Sequence, residues 1–352
     1  MTYEKWIDTA KGIGILLVIL GHSNFNQSAI VIISTFNMPL FFFLSGYLYN
    51  HSKYKQDPNR FMALKFKRLV IPYFITNIII LCTYAVLSFF KIYSFNEKPP
   101  LKHLIGIFYG NGAPLDPPTI YTNTLNIPSW FLLSLFCAFL LLYILAFTHE
   151  KYGLRISGLL GVLFLLSGFE ISKHIFLPWG FDIACVSMFF MFLAYLTSGN
   201  RERYARLAWL DRNGSENLKK ILYCSVLILL LYFVISFNGR VDMNTRNYAN
   251  LPIFYIGGLL GTTMIIGIAK ELSKKENILT NSFVFLGKHS LIILLYHSFT
   301  SLLLILILNI FINVKEIIYN SPILSILNML LTSILVVVFF RKLPVLEKIY
   351  FT

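Results

Sequence analysis

The sequence predicts an all-α, polytopic membrane protein, a bundle of about ten transmembrane helices. Hydrophobic residues make up 57% of the 352 residues and charged residues only 13%, and the mean hydropathy is +0.69. Soluble globular domains carry roughly 25% charged residues, so the composition excludes a soluble globular chain. Apolar segments also recur along the whole chain, and each is long enough to cross a hydrocarbon core of about 30 Å.

Ten apolar segments are candidates for membrane spans. In order they are residues 7–25, 29–49, 69–90, 128–147, 154–170, 181–198, 219–237, 250–269, 287–311 and 322–340. The fifth is the weakest, because Gly158, Gly161 and Gly168 interrupt it and Glu170 ends it. With all ten spans and a cytoplasmic N-terminus, 23 of the 30 lysine and arginine residues fall on the inner side. This asymmetry satisfies the positive-inside rule, whereas omitting the fifth span would place the basic residues of 201–220 outside. Both termini are therefore expected to be cytoplasmic.

The connections between the spans are too short to hold a separate soluble domain. None reaches about 50 residues, the lower limit for a domain, so residues 1–352 are expected to form one integral membrane domain. The longest connection, the outer loop 91–127, is rich in proline and glycine and is expected to be non-helical. Such a loop is either a lid over a substrate or a plain solvated connection.

Charge and cysteine usage limit the classes of partner. The net charge of +14 comes from basic residues placed in loops between apolar spans, which favours contact with membrane lipid and gives no reason to expect nucleic acid. The four cysteines lie inside apolar runs without paired spacing, so neither a disulfide framework nor a metal site is expected.

The first span carries three ionisable residues, Asp8, Lys11 and His22. Lys11 and His22 are eleven residues apart, which places them within about 20° on one helix face and about 16 Å apart along the axis. Asp8 lies within about 40° of the same face. Ionisable groups inside a spanning helix usually line a bundle interior or a wet cavity, so this face predicts a functional site. The alternative is that Lys11 snorkels to a headgroup and that His22 is a packing residue.

Polar residues of the second and third spans could approach the same region. Ser45 and Gly46 permit either the approach of a cofactor or a tight helix crossing. Lys65, Lys67 and Arg68 precede the third span at its inner end. Three cations there fit a phosphorylated cofactor or the anionic lipid headgroups of the inner leaflet.

The outer ends of later spans carry a further set of residues. Trp130 and Trp179 lie where interface aromatic residues are usual. Four charged residues stand where a polar acceptor would approach, although solvation explains any one of them; they are Asp182, Arg240, Asp242 and Arg246. His297, about 15 Å into the ninth span, extends an interior polar path.

His22 is the best candidate for a general base. The sequence contains no nucleophile elbow, phosphate-binding loop, dinucleotide fingerprint or zinc-ligand spacing. Counted from an inner boundary near Trp6, His22 lies about 24 Å into the membrane, in its outer third. An imidazole at that depth can take a proton from a hydroxyl group near neutral pH.

Several motifs together resemble one family. They are the opening WIDTAKGIGI followed by GH, then MPLFFFLSG, KRLVIP at 67–72, PSWFL, PWGFD, and GKHSL followed by a histidine. In this order they resemble the acyltransferase family 3 integral membrane proteins, particularly the branch typified by fucose 4-O-acetylase and related sugar O-acetyltransferases. The family's first helix carries a basic residue, ten further residues and a histidine, which correspond here to Lys11 and His22. Lysine stands where many members have arginine, and Asn37 stands where this branch is expected to have histidine.

The resemblance implies a membrane acyltransferase that takes acetyl from cytoplasmic acetyl-CoA and transfers it to a sugar hydroxyl at the outer face. The acceptor would be a cell-surface polysaccharide or a lipid-linked oligosaccharide, and the location a bacterial plasma membrane. Donor-binding residues would be Lys11, Lys65, Lys67, Arg68 and Ser45. Residues near the acceptor would be Asn37, Trp130, Asp182, Arg240, Asp242 and His297.

The same resemblance assigns roles to the first span. His22 would deprotonate the acceptor hydroxyl or transiently carry the acetyl group, and Asp8 would orient Lys11. No metal is expected, and the oligomeric state is open, with a dimer as one option. The competing function is a polysaccharide exporter or flippase without transferase activity, in which the same polar face lines a path. The absence of a visible inverted repeat in the sequence counts against that alternative.

Overall fold

A computed structural model describes residues 4–95, 99–113, 124–198 and 217–351, of which residues 217–224 are described by their backbone only. Within these ranges the chain is helical and forms no β-strand beyond a single bridge, which confirms the all-α class. The helices are α1 Lys5–His22, α2 Gln27–Tyr47, α3 His51–Tyr54, α4 Pro58–Lys65, α5 Ile71–Phe89, α6 Pro100–Tyr109, α7 Trp130–Ser172, α8 Phe181–Ser198, α9 Asn217–Asn238, α10 Leu251–Ser273, α11 Ile278–Lys288, α12 Ser290–Leu308, α13 Lys315–Asn320, α14 Pro322–Arg341 and α15 Pro344–Tyr350. A π-helical turn, Phe66–Val70, joins α4 to α5.

Seven helices of the described residues are long and apolar enough to cross a membrane. They are Gln27–Tyr47, Pro58–Phe89, Ile127–Ser172, Pro178–Ser198, Leu251–Ser273, Ser290–Leu308 and Pro322–Arg341. The chain is therefore a multi-pass membrane protein, but this criterion does not confirm about ten spans. The other predicted spans correspond to the charged helix α1, to the second part of α7, and to α9, whose described apolar part is Ser225–Asn238. Whether they cross the membrane stays a prediction, as does the location of the termini. Most of the basic stretch 201–220 that supported the fifth span lies outside the described residues.

A break at Gly153 divides α7 into two helical segments, 130–152 and 154–172. Gly153 has φ 81° and ψ −179°, a conformation that lacks a penalty only for glycine. The fourth and fifth predicted segments are therefore separate helical pieces that meet at this residue.

The prediction of a non-helical loop over 91–127 is wrong within its described part. Residues Pro100–Tyr109 form α6, which begins with a proline in its first turn and ends at Gly110 with φ 78°. Proline is favourable at a helix start, because the N–H that it lacks would have no partner within the helix. Glycine is favourable in the left-handed position after a helix, because it has no Cβ atom to clash with the backbone. The prolines and glycines that indicated a loop thus serve as the ends of a short helix.

The predicted start of the ninth span at residue 287 is also wrong. Gly287 belongs to the end of α11, and His289 lies outside helical conformation between α11 and α12. The side chain of Asn277 accepts a hydrogen bond from the backbone N–H of Thr280 at 2.9 Å. This N-terminal cap starts α11 as a separate helix ahead of the span.

The described chain divides into two compact units. The first contains residues 1–50, 190–243 and 247–290, and the second contains residues 51–189, 244–246 and 291–352. The assignment of residues 1–352 to one functional domain stays a prediction.

The core of the first unit surrounds α1. It consists of buried residues from α1, α2, α9 and α10, namely Ala10, Phe36, Leu40, Leu44, Leu231, Ile235, Ile265 and Ala269. Trp6, Ile13 and Leu17 of α1 pack against this cluster. The apolar face of α1 is therefore held by three other helices of the unit.

A second face of α1 crosses α11 at backbone contact. A Cβ atom on Gly12 would meet the backbone of Phe283, and one on Gly287 would meet the backbone of Asp8. The two contacts run in opposite chain directions, so α1 and α11 are antiparallel at the crossing. Small residues permit such close approach between membrane helices, and the crossing fixes the backbone beside Asp8 and Lys11.

Buried hydrogen bonds between helices stabilise the second unit. Tyr350 of α15 bonds to Thr76 of α5 at 2.7 Å and to Tyr296 of α12 at 3.0 Å. Asn328 of α14 donates to Ser301 of α12 at 2.8 Å. In a membrane such bonds satisfy polar groups that water cannot reach.

Gly12→Ala is expected to destabilise the protein by about 1–3 kcal/mol, because the added methyl group meets the Phe283 backbone, which cannot rotate away. Gly21→Ala is the matched control on the same helix, since nothing lies within 4 Å of its Cβ position. Thermal unfolding in detergent, followed by the loss of the monodisperse peak in size-exclusion chromatography, measures both. Equal melting temperatures for the two variants would contradict the close crossing.

Candidate active site

The first helix brings Asp8, Lys11 and His22 onto one continuous element, since α1 runs without a break from Lys5 to His22. The helical period of about 3.6 residues per turn, on which the sequence prediction is based, therefore applies over the whole stretch from Asp8 to His22. Lys11 and His22 lie about 16 Å apart along the axis and share one face.

His22 has a defined tautomer. Its Nδ1 lies 2.8 Å from the carbonyl oxygen of Val18, and a carbonyl can only accept a hydrogen bond. Nδ1 therefore carries the hydrogen in the neutral ring, which leaves the basic lone pair on Nε2. His22 is also the last residue of α1 and is exposed.

Asp242 lies in the first unit, as His22 does, and its negative charge contributes to the electrostatic environment of the His22 ring. Asp242 is partly buried in the connection between α9 and α10 and pairs with Asn247 through two backbone hydrogen bonds of 2.8 and 2.9 Å. The sequence predicted Asp242 as an acceptor-binding residue, and nothing in the sequence joins it to His22, 220 positions away.

Asp8 and Lys11 form an ion pair one turn apart on α1. The Lys11 ammonium lies 3.9 Å from the Asp8 carboxylate, and the two side chains are 28% and 15% exposed. This distance is longer than a charged hydrogen bond, so the carboxylate steers the ammonium without using all three of its N–H donors. Lys11 can therefore still bind an anion.

Asn37 and Ser45 lie on α2 and are partly buried. The side-chain oxygen of Asn37 accepts a hydrogen bond from the backbone N–H of Met38 at 2.7 Å. A Cβ on Gly46 would meet the backbone of Met191, so Gly46 serves a tight helix crossing. The contacts predicted for Asn37 with an acceptor and for Ser45 with a donor stay predictions.

The three basic residues before the third predicted span differ in environment. The Lys65 ammonium lies 3.4 Å from the centre of the Phe139 ring, a cation–π contact. Lys67 and Arg68 are exposed on the π-helical turn Phe66–Val70, a type of turn that is frequent at functional sites. Lys67 and Arg68 are therefore the better placed of the three to bind an anion from solution. They lie in the second unit and Lys11 lies in the first, so their joint action on one ligand stays a prediction.

Trp130 is buried and so is not a lipid-interface residue, whereas Trp179 is partly exposed and its place at the interface stays a prediction. Trp130 is 7% exposed and lies against Gly112, and the indole N–H of Trp179 donates to the carbonyl oxygen of Phe108 at 3.0 Å. Both rings contact residues of the second unit. The interpretation as an aromatic belt fails for Trp130, because helix-end position alone does not show which way a ring faces.

Asp182 and Arg246 are not solvated surface charges either. Asp182 is fully buried and accepts two hydrogen bonds from Arg246, at 2.7 Å from Nε and 3.3 Å from Nη2. The Arg246 guanidinium also donates to the Asn244 carbonyl at 2.7 Å and to the Asn111 side chain at 3.2 Å. It lies 4.0 Å from the centre of the Phe176 ring. The pair is thus a buried, bidentate anchor within the second unit.

Arg240 and His297 occupy opposite environments. Arg240 is exposed and follows Gly239, whose φ is 72°. His297 is fully buried in α12, and its Nδ1 lies 3.0 and 2.9 Å from the carbonyl oxygens of Ile293 and Leu294. Nδ1 therefore carries a hydrogen in His297 as well. Contact of either residue with an acceptor stays a prediction.

Sequence reasoning missed one charged cluster. The carboxylate of Glu150 lies 2.6 Å from the Lys55 ammonium and 3.4 Å from Nε2 of His51. Burial lowers the pKa of His51, and the nearby Glu150 carboxylate acts in the opposite direction. About a hundred positions separate the partners, and no local pattern joins them.

No group of three or more histidine, cysteine, aspartate or glutamate residues in the described ranges could hold a metal ion.

Comparison with known proteins gives one match. The family model of the acyltransferase family 3 domain, described as an acyltransferase domain, matches residues 4–342. No curated protein and no solved structure matches the chain significantly. The matched range contains the Asp8–Lys11 pair, His22 and Asp242, and it covers every predicted span. A match over nearly the whole chain, together with seven apolar helices long enough to span a membrane, identifies a membrane acyltransferase. The chain belongs to acyltransferase family 3.

Proposed function

We propose that this acyltransferase is a sugar O-acetyltransferase of the fucose 4-O-acetylase-like branch. It takes an acetyl group from cytoplasmic acetyl-CoA and transfers it to a sugar hydroxyl of a surface polysaccharide or lipid-linked oligosaccharide at the outer face. In this proposal it lies in a bacterial plasma membrane with ten spans and both termini in the cytoplasm. The proposal depends mainly on one observation, the fixed Nε2 base of His22 on the same helix face as the Lys11 ammonium.

Lys11 supplies the positive charge for the anionic donor. CoA carries phosphate groups, and a lysine binds phosphate as a compact point charge. The Asp8 carboxylate holds the Lys11 ammonium in place while leaving donors for the ligand. The proposal also assigns donor binding to Lys67 and Arg68, which are exposed, and to Lys65, which contacts Phe139.

His22 performs the chemical step through Nε2. In direct transfer, Nε2 takes the proton of the sugar hydroxyl, and the oxygen attacks the carbonyl carbon of the thioester. The C–S bond breaks, and the CoA thiolate leaves and receives the proton from the imidazolium. In the alternative route Nε2 attacks the thioester itself, the C–S bond breaks, and CoA leaves as the thiolate. The sugar hydroxyl then attacks the acetylated ring, the N–acetyl bond breaks, and the hydroxyl proton goes to the thiolate. Asp242 stabilises the positive ring in either route.

The acceptor side is assigned to polar residues that the sequence placed at outer helix ends. Arg240 is exposed beside the turn that holds Asp242, so it is suited to contact a glycan directly. Asp182 is engaged by Arg246, and Trp130 is buried, so these two support the surrounding structure. Asn37 and His297 complete the proposed set.

His22→Ala is expected to abolish O-acetylation, with a loss of at least about 10²-fold, because general acid–base catalysis contributes that much or more. The O-acetyl content of the surface polysaccharide is measured by proton NMR in a deletion strain that carries wild type or variant. The matched control is His174→Ala, a histidine with 74% of its side chain exposed on a surface ion pair.

Equal membrane levels of the two variants exclude a folding defect in this experiment. Loss of acetyl signal at unchanged polymer yield supports the transferase. If polymer export collapsed while the residual polymer kept its acetyl groups, the exporter function would replace the proposal.

Lys11→Gln is expected to raise the KM for acetyl-CoA by about 10–100-fold, the value of a hydrogen bond to a charged group. Lys11→Arg keeps the charge and is expected to retain most of the affinity. Transfer of label from radioactive acetyl-CoA to glycan in isolated membranes gives both kcat and KM. A fall in kcat at unchanged KM would remove Lys11 from donor binding.

A further inference from the structure

The motif KRLVIP at 67–72 has a structural explanation in the second unit. Pro72 stands at the start of α5, where it lacks a backbone N–H and its ring crowds the carbonyl four residues back. The chain accommodates the proline with the π-helical turn Phe66–Val70, in which the backbone N–H of Ile71 donates to the carbonyl of Phe66, five residues back. The proline therefore accounts for the turn on which two exposed basic residues of this motif lie.

The short helix α15 packs against this turn and against α5 in the same unit. Its residue Tyr350 connects three helices through one hydroxyl group. That hydroxyl lies 2.7 Å from Oγ1 of Thr76 in α5 and 3.0 Å from the hydroxyl of Tyr296 in α12. The Tyr350 ring also packs on Phe340 of α14, with the ring centres 5.1 Å apart. Tyr350 thus joins α15 to the helix that continues directly from the π-helical turn.

The three hydroxyl groups of this network are buried. Thr76 is fully buried, and Tyr296 and Tyr350 are 2% and 7% exposed. A buried hydroxyl without a hydrogen bond is unfavourable, most of all in a membrane protein, where water does not replace the partner. The hydrogen bonds of Tyr350 therefore oppose any movement of α15 away from α5 and the turn. On the turn itself Leu69 and Val70 are buried, so their packing depends on the elements around them.

We propose that Tyr350 is a positioning residue for binding of the acetyl-CoA donor. Its hydrogen bonds to Thr76 and Tyr296 hold α15 against the π-helical turn. The packed turn in turn fixes the backbone that carries Lys67 and Arg68. The inference rests on the proposed function, because that function assigns these two cations to the phosphate groups of the donor. Tyr350 acts through the backbone of the turn and touches neither the donor nor the reacting atoms.

The positioning role makes a specific prediction about kinetics. An arginine binds phosphate best as a planar fork, so the orientation of Arg68 matters as well as its charge. When the turn is loose, both cations must become ordered during binding, and this ordering lowers the affinity for the donor. The chemical step at His22 does not use the turn. Loss of the Tyr350 hydroxyl is therefore expected to raise the KM for acetyl-CoA and to leave kcat unchanged.

The first experiment measures the turn directly, without any activity. Amide hydrogen exchange of the purified full chain in detergent is followed at Ile71, whose N–H closes the π-helical turn. Tyr350→Phe and Thr76→Val remove a hydroxyl and keep most of the side-chain volume. Each is expected to speed this exchange about three- to tenfold, the value of one hydrogen bond between neutral groups. Tyr152→Phe is the matched control, because Tyr152 belongs to the same unit and is 53% exposed.

The second experiment measures binding of CoA, the donor without its acetyl group, to the purified chain by isothermal titration calorimetry. Tyr350→Phe is expected to weaken CoA binding about three- to tenfold. In a chain that already carries Lys67→Gln and Arg68→Gln, the same substitution is expected to have no further effect, because the positioned groups are gone. Radioactive acetyl-CoA in isolated membranes then gives kinetics, and only the KM of Tyr350→Phe is expected to rise.

Three results would each overturn the positioning role. They are unchanged Ile71 exchange in a folded Tyr350→Phe variant, an equal loss of CoA affinity with and without the two cations, and a fall in kcat at unchanged KM.

Failure of the proposed function gives a different pattern. If the Lys67→Gln, Arg68→Gln chain binds CoA as tightly as wild type, the assignment of these cations to the donor is wrong, and the positioning role is wrong with it. If the wild-type chain binds CoA with the expected losses but transfers no acetyl group, the proposed transferase is wrong while the role of Tyr350 in binding stands. The two failures are therefore distinguishable.

Discussion

The cost of placing ionisable groups inside a membrane protein is the constraint on which this structure depends. A charge in hydrocarbon is unfavourable unless a partner, a helix end or water stabilises it. The protein meets this constraint differently at each site. Asp8 and Lys11 form a loose, partly exposed pair, whereas Asp182 and Arg246 form a tight, fully buried one. The first arrangement leaves hydrogen-bonding capacity for a ligand, and the second fixes a backbone.

This difference separates the residues suited to chemistry from those suited to support. In a buried bidentate pair the donors and acceptors already form hydrogen bonds within the protein, so the pair cannot bind a substrate unless those bonds break. In the exposed ring of His22, Nδ1 donates its hydrogen to the Val18 carbonyl of the same helix, and Nε2 points away from that bond. One residue thus combines a fixed tautomer with access, which is what a general base requires.

Much of the site on α1 was predictable, because its three residues are related by helical period alone. Lys11 and His22 lie on one continuous helix as the sequence indicated. The all-α class was also predictable from composition. The number of spans was harder to predict. The charges on α1 lower its hydropathy, and two helical segments of α7 join directly at Gly153. Proline and glycine near residues 100 and 110 mark helix ends there, although the same residue types also indicate loops.

The rest of the site depends on contacts between distant parts of the chain, and a single sequence does not reveal these. Asp242 contributes to the electrostatic environment of His22 across 220 positions, and Asp182 binds Arg246 across 64. Both acids looked alike in the sequence, as charges at outer helix ends. Their environments distinguish them, since Asp182 is fully buried against the Arg246 guanidinium, whereas Asp242 is only partly buried. The buried position of Trp130 was hidden for the same reason, because Gly112, the residue that makes room for it, belongs to another segment.

The rigidity of α1 connects these observations to the proposed reaction. Lys11 and His22 can act on the two ends of one donor only if about 16 Å of helix keeps its length and orientation. The apolar core holds one face of α1, and the glycine crossing with α11 holds another at its charged end. Because Lys11 offers a point charge rather than the fork of arginine, it restrains the orientation of a phosphate less strongly. In the proposed reaction the orientation of the donor must then come from the thioester end, at His22.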